Sequence, residues 1–175
     1  MVLEIKVPHS NNFGDLLLLW PKFFSYTLSF FYVGLYWNNH HHLMQAAKFV
    51  NGRTLILNLI LLFWMSTIPF FTGWVGESNF SKVPVTMYGI NLFIAGLSYK
   101  IYQDHIMRNS NSHSVVLNKN GFDFKGVLSP VMNLVGVLLS WTVSPYIGVS
   151  IYFMIAIMWL IPDQRIERAF HEKDR

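Results

Sequence analysis

The chain has 175 residues, of which 53% are hydrophobic, 17% are aromatic and only 13% are charged. Soluble domains carry about 25% charged residues, so this chain lacks the polar side chains that would coat a water-soluble globule of its size. The composition excludes an ordinary soluble domain and indicates an integral membrane protein in a lipid bilayer. Cysteine is absent, which excludes disulfides and thiolate metal sites. The net charge of +4 is spread between apolar segments, so we expect no nucleic-acid partner.

Five apolar segments approach the length of about 20 residues that a membrane-spanning helix needs. They are predicted at about 20–38, 55–75, 84–102, 126–143 and 145–161. Trp20 and Trp37 lie at the ends of the first segment, as interfacial aromatic residues do, and Pro69 is expected to kink the second. Residues 103–125 are predicted to form a cytoplasmic loop, and residues 162–175 a cytoplasmic tail.

The loop charges predict the orientation of these spans. The N-terminus, the 76–83 loop and the 143–145 turn share one side and carry only Lys6 and Lys82. The opposite side carries ten basic residues, which are Lys48, Arg53, Lys100, Arg108, Lys119, Lys125, Arg165, Arg168, Lys173 and Arg175. Basic loops stay in the cytoplasm. The whole chain, 1–175, is therefore predicted to be one all-α, polytopic membrane helix bundle with its N-terminus outside and its C-terminus in the cytoplasm.

This orientation places the start of the chain outside without a signal sequence. The stretch VLEIKVP, residues 2–8, is charged and too short to span a bilayer. We therefore expect a six-helix protein whose first helix enters from the cytoplasm before residue 2. Five of its six spans are then visible in this chain.

The stretch YWNNHHHLM, residues 36–44, contains three consecutive histidines. Successive side chains of a helix point about 100° apart, so His40, His41 and His42 cannot converge on one ion. A metal pair on a helix needs a spacing of three or four residues. The pattern favours hydrogen bonding at a cytoplasmic helix end over metal binding, and we expect no metal or other cofactor. A metal-binding membrane protein built on this histidine cluster is the weakest alternative.

Asp and Glu are absent from the five predicted spans, although intramembrane carboxylates commonly mark proton-coupled transport. This favours a channel or a non-conducting membrane protein, with no enzymatic step. Small and polar residues recur instead at helical spacing in the fourth span, and two glycines lie in the third. They are Ser129, Asn133, Gly136 and Ser140, with Gly89 and Gly96. Such residues more often allow close helix packing than line a pore, and the sequence contains no TVGYG-like potassium filter.

Four stretches resemble the transmembrane protein 175 family of endosomal and lysosomal potassium channels and their single-repeat bacterial relatives. VLEIKVP at 2–8 is similar to the end of the family's first helix, and WPKFFSYTLSF at 20–30 to the start of its second. YWNNHHHLM at 36–44 resembles the W-x-N-H-H-x-L-F pattern that ends the second helix. WLIPDQRIER at 159–168 resembles the close of the sixth helix. The likeness extends over essentially the whole chain.

The resemblance implies a potassium-selective channel, a homotetramer in single-repeat bacterial members, in the bacterial cell membrane. It also implies that Asn39, His40 and His41, with Trp37 beside them, belong to a polar network. In the family this network holds the pore helix through an R-x-x-x-F-S-D signature, which these 175 residues do not contain. No pore-lining residue can therefore be assigned. The main alternative is a non-conducting membrane scaffold, a degenerate paralogue that lost its pore helix.

Overall fold

The structure, a computed structural model, describes residues 14, 18–47, 50–109 and 124–160, and its regular elements are all helical. The five helices are α1 (Trp20–Ala46), α2 (Gly52–Glu77), α3 (Lys82–Asn109), α4 (Phe124–Thr142) and α5 (Pro145–Leu160). No strand occurs in the described ranges, so the predicted all-α class is confirmed. The predictions for 2–8 and 162–175 concern residues outside the described part of the chain.

Local sequence signals explain where several helices begin. The Asn51 side chain caps α2 by accepting a hydrogen bond from the Thr54 N–H at 2.9 Å. Proline stands in the first turn of α1 and at the first position of α5, where its missing N–H costs no hydrogen bond. α2 and α3 are joined by a tight turn in which Asn79 and Phe80 have φ angles of 50° and 59°.

The helices are longer than the predicted spans at the histidine side of the chain. α1 continues past residue 38 to Ala46, so all three histidines lie on the helix. α3 continues through Asn109, which corrects the predicted loop at 103–125 for its first seven residues. The extension follows from packing, because Tyr102 and Ile106 are buried one turn apart, and from the Lys100–Asp104 ion pair at 2.9 Å. Most of the remaining loop lies outside the described residues.

α3 is the central helix of the bundle. It packs extensively against α2 and α4 and also touches α5 and α1, while α1 packs against α2 and α5. The main core cluster contains the buried rings of Tyr32, Tyr88 and Tyr152 from α1, α3 and α5. A second cluster lies towards the ends of α1 and α3 and includes Leu61 and Tyr102.

The bundle has two ends, which we name by their residues. At the turn end, Phe80 stacks on Trp20 and Tyr146 lies near it, with ring centroids 5.4 and 6.1 Å from that of Phe80. At the histidine end, His40 of α1 meets residues of α2 and α3, among them Tyr102. The two short turns, α2–α3 and α4–α5, therefore lie at the end opposite the histidines, as the predicted alternation of loops requires.

By length and apolar composition, one of the described helices, α2, can cross a membrane, and α5 is apolar but shorter. α5 has 16 residues, and α1, α3 and α4 include polar residues that lower their hydropathy. The outward side of α2 nevertheless exposes a row of large apolar residues. They include Leu55, Ile56, Leu59, Phe63 and Phe70. The other four spans stay predictions from sequence.

Candidate functional site

His40 is the residue of the YWNNHHHLM stretch that connects three helices. Its side chain is 8% exposed, and its Nε2 atom lies 2.6 Å from Oδ1 of Asn58 on α2. The imidazole also lies between the rings of Trp37 and Tyr102, each with a centroid 5.9 Å away. The contact with Tyr102 reaches α3. One hydrogen bond and two ring contacts therefore join α1, α2 and α3 at the histidine end.

The other residues of the predicted network have different surroundings. The Asn39 side chain donates to the Leu35 carbonyl of its own helix at 2.8 Å. The Asn39 carbonyl accepts a long hydrogen bond, 3.5 Å, from the Tyr99 hydroxyl. His41 is exposed and pairs with Gln45 one turn later at 2.9 Å. Trp37 is 59% exposed although one side of its ring covers His40. The role that the resemblance implies for these residues, holding a pore helix, stays a prediction.

The three histidines point in different directions, as their spacing on a helix requires. The His41 and His42 ring centroids are 6.1 Å apart, while His40 is turned inward to Asn58. Within the described ranges, no group of three His, Asp or Glu side chains could hold a metal ion. Of the three histidines, His40 makes the hydrogen bond to a neighbouring helix, and His41 pairs within its own helix.

Thr54 and Asn58, both on α2, make polar contacts at the histidine end that the sequence did not predict. The Thr54 hydroxyl lies 2.9 Å from the capping oxygen of Asn51 and 3.2 Å from Nε2 of His105 on α3. Asn58 was recognisable as a polar residue in an apolar segment, but its pairing with His40 was not. Two polar residues on different predicted helices can form a contact only if both helices are rotated so that the residues face each other. A single sequence does not give that rotation.

The polar side of α4 faces α3 and α5 inside the bundle. Ser129 is buried and accepts a hydrogen bond from the Trp159 indole N–H of α5 at 2.6 Å. Ser140 is buried too, and its hydroxyl lies 3.0 Å from that of Thr86 on α3. Asn133 is 3% exposed and sits between these two positions. The residues assigned to helix packing on α4 are therefore brought against both neighbouring helices.

A slot formed by two glycines receives the Tyr152 ring of α5. A Cβ atom on Gly89 of α3 would overlap the Tyr152 hydroxyl, and one on Gly136 of α4 would lie 2.5 Å from a ring carbon. The ring thus fills the space that two side chains would need. Gly96 is different, because a Cβ there would meet its neighbours at ordinary contact distances of 3.6 and 3.8 Å. The spacing of the glycines predicted close contact, but Tyr152 itself was not identified from the sequence.

Comparison with known proteins gives one family. The family profile described as endosomal/lysosomal potassium channel TMEM175 matches residues 1–69. A protein named as a potassium channel from a Chryseobacterium species is 42% identical over 172 residues, covering 98% of this chain and 89% of its own length. One from Chamaesiphon minutus is 26% identical, covering 92% of this chain and 85% of its own. One from Streptomyces collinus is 26% identical and covers 63% of this chain and 58% of its own. No solved structure matches.

Proposed function

Because the chain belongs to the family of the endosomal/lysosomal potassium channel TMEM175, we propose that it is a subunit of a potassium-selective channel. The observation that carries the proposal is the 42% identity to a relative named as a potassium channel over nearly the whole chain. The family is one of ion channels and not an enzyme class. The proposed activity is passive conduction of potassium down its gradient, with potassium as the permeant ion and no cofactor.

The surface of the bundle supports a membrane location. Many large apolar side chains are exposed, and Leu59, Phe70 and Leu138 are 57–68% exposed. A soluble monomer exposes such residues singly and scattered. Among the described basic residues, Arg53, Lys100, Arg108 and Lys125 lie in the histidine half of the bundle, and Lys22 and Lys82 lie at the turn end. We propose that the protein is a multi-pass protein of the bacterial plasma membrane with the histidine end in the cytoplasm.

The proposed assembly is a homotetramer. A chain with several spans needs copies of itself, or another subunit, to enclose a pore along a symmetry axis. The exposed apolar side chains leave both lipid and neighbouring subunits as possible contacts, and the family resemblance favours four copies. Cross-linking of the purified protein followed by mass measurement would count the subunits directly, with four as the expected number.

Potassium flux out of liposomes tests the function. The native protein, purified from its own host, is reconstituted into liposomes, and an outward potassium gradient drives a proton ionophore-coupled dye response. We expect a response that is absent from empty liposomes and much smaller when sodium replaces potassium, since selectivity requires a difference between the two ions.

The same experiment separates the channel from its main alternative. A homogeneous, well-folded oligomer that passes no potassium over a range of voltages would contradict the channel proposal and leave a non-conducting scaffold. Equal potassium and sodium flux would keep a channel but contradict its proposed selectivity.

A further inference from the structure

A partly open pocket of about 40 Å³ lies between α1, α3, α4 and α5 in the half of the bundle nearer the histidine end. Its walls are mainly apolar and aromatic, including Tyr99 and Trp159, and Gly96 forms part of its lining on α3. α1 and α4 face each other across it, and these two helices are not packed extensively against one another. The cavity therefore occupies the place where a direct contact between α1 and α4 would otherwise be.

Polar side chains line this pocket, and the oxygen of one of them has no hydrogen-bond partner among the described residues. The Asn133 carboxamide of α4 makes no hydrogen bond to any described residue, and its Oδ1 atom is buried in a side chain that is 3% exposed. The Tyr36 hydroxyl of α1 also lines the cavity and approaches Gly96. An unpaired buried amide costs free energy unless something hydrogen-bonds to it. The Asn133 Oδ1 atom therefore needs a partner that donates a hydrogen bond to it.

The size of the cavity limits what that ligand can be. A water molecule needs about 10–15 Å³ of such space, and a cavity of about 150 Å³ holds benzene. A cavity of about 40 Å³ is therefore too small for an aromatic molecule but large enough for roughly three waters. Buried waters hydrogen-bond to otherwise unpaired polar groups, and Asn133 supplies such a group in this mainly apolar lining.

We propose that this cavity is an internal hydration site whose waters hydrogen-bond the Asn133 carboxamide and the Tyr36 hydroxyl. These waters would connect α1 to α4, two helices that are not packed extensively against each other. A water bridge is nearly as favourable in enthalpy as a direct hydrogen bond, so the site contributes to the packing of the bundle. This inference does not depend on the proposed conduction of potassium.

Radiolytic hydroxyl labelling with mass spectrometry tests for the bound water, because radicals formed in place label the nearest side chains. In the native protein we expect strong labelling of Tyr36 and negligible labelling of Tyr88, which is fully buried in the core. Two variants change the site in different ways. Asn133→Leu removes the carboxamide at similar volume, and Gly96→Ala adds a methyl group that fills part of the cavity without a steric overlap.

Each variant should lower Tyr36 labelling severalfold while labelling of the exposed Tyr146 at the turn end stays unchanged. The second variant keeps the test valid if Asn133→Leu fails to fold. Tyr36 labelling as low as that of Tyr88 in the native protein would overturn the proposal. So would unchanged Tyr36 labelling in folded forms of both variants, because the label would then come from bulk solvent.

Discussion

At the scale of single residues, neighbouring histidines in one run have different physical roles. His40 is buried, stacked and paired with Asn58 across two helices, whereas His41 is exposed and paired within its own helix. Their surroundings differ because successive side chains of a helix point about 100° apart. The sequence motif marks the stretch, and the helix geometry decides which histidine joins the helices.

Substitution of His40 should therefore destabilise the protein much more than substitution of His41. His40→Ala removes the 2.6 Å contact and leaves the Asn58 carbonyl oxygen unpaired, at a cost of about 1–3 kcal/mol in the free energy of unfolding. His41→Ala changes an exposed pair and should stay within about 0.5 kcal/mol. Denaturant titrations in detergent micelles measure both. Equal losses in the two variants would show that the interhelical contact contributes nothing specific.

At the scale of helices, packing depends on where side chains are missing as much as on where they are present. Gly89 and Gly136 let α3 and α4 approach α5 closely enough to enclose the Tyr152 ring. The Tyr152 carbonyl in turn accepts a hydrogen bond from the Tyr32 hydroxyl of α1. Four helices therefore meet around one tyrosine, and this contact sets the distances between them.

Gly89→Ala should destabilise the bundle because the added methyl overlaps the Tyr152 hydroxyl and lies 2.8 Å from Val137. Overpacking of this kind costs about 1–3 kcal/mol. Gly34→Ala is the matched control, since nothing lies within 4 Å of a Cβ there. Alanine at that position should instead gain up to about 1 kcal/mol from helix propensity. Thermal unfolding compares the two variants. A Tm for Gly89→Ala at or above that of Gly34→Ala would refute the tight slot.

The positions of the helices could be predicted from the sequence better than the contacts between the helices. Apolar length and proline positions gave all five helices, because both act locally along the chain. The extension of α3 beyond residue 102 was missed because Tyr102 and Ile106 are buried by tertiary packing within a polar stretch. His40 with Asn58, and Tyr152 with the two glycines, were missed for a related reason. Partners on different helices are chosen by rotation and height, which a single sequence does not contain.

At the scale of the whole molecule, the two short turns lie at one end and the histidines at the other, and large apolar side chains are exposed between them on α2. The charge distribution in the sequence predicts that the histidine end faces the cytoplasm. The orientation itself is a proposal, and the absence of native cysteine makes it simple to test.

Single cysteines introduced at the two ends should react from opposite sides of the membrane. Glu77 lies at the turn end and Arg108 at the histidine end, and both are exposed. A membrane-impermeant maleimide should label Glu77→Cys in intact cells and Arg108→Cys only after lysis, because basic ends stay in the cytoplasm. The cysteine-free parent is the blank. The reverse pattern would invert the proposed topology, and labelling of both in intact cells would argue against a single orientation.

The central position of α3 has a consequence for biosynthesis. Its predicted span contains the polar residues Thr86, Asn91 and Ser98, and Asn91 is buried against Thr67 of α2, which donates to it at 2.8 Å. A lone helix with a buried amide partitions poorly into hydrocarbon. α3 should therefore leave the insertion machinery together with α2, as a hairpin closed by the four-residue turn at 78–81. Because α2 is synthesised first, Thr67 is available to pair with Asn91 as soon as α3 has formed.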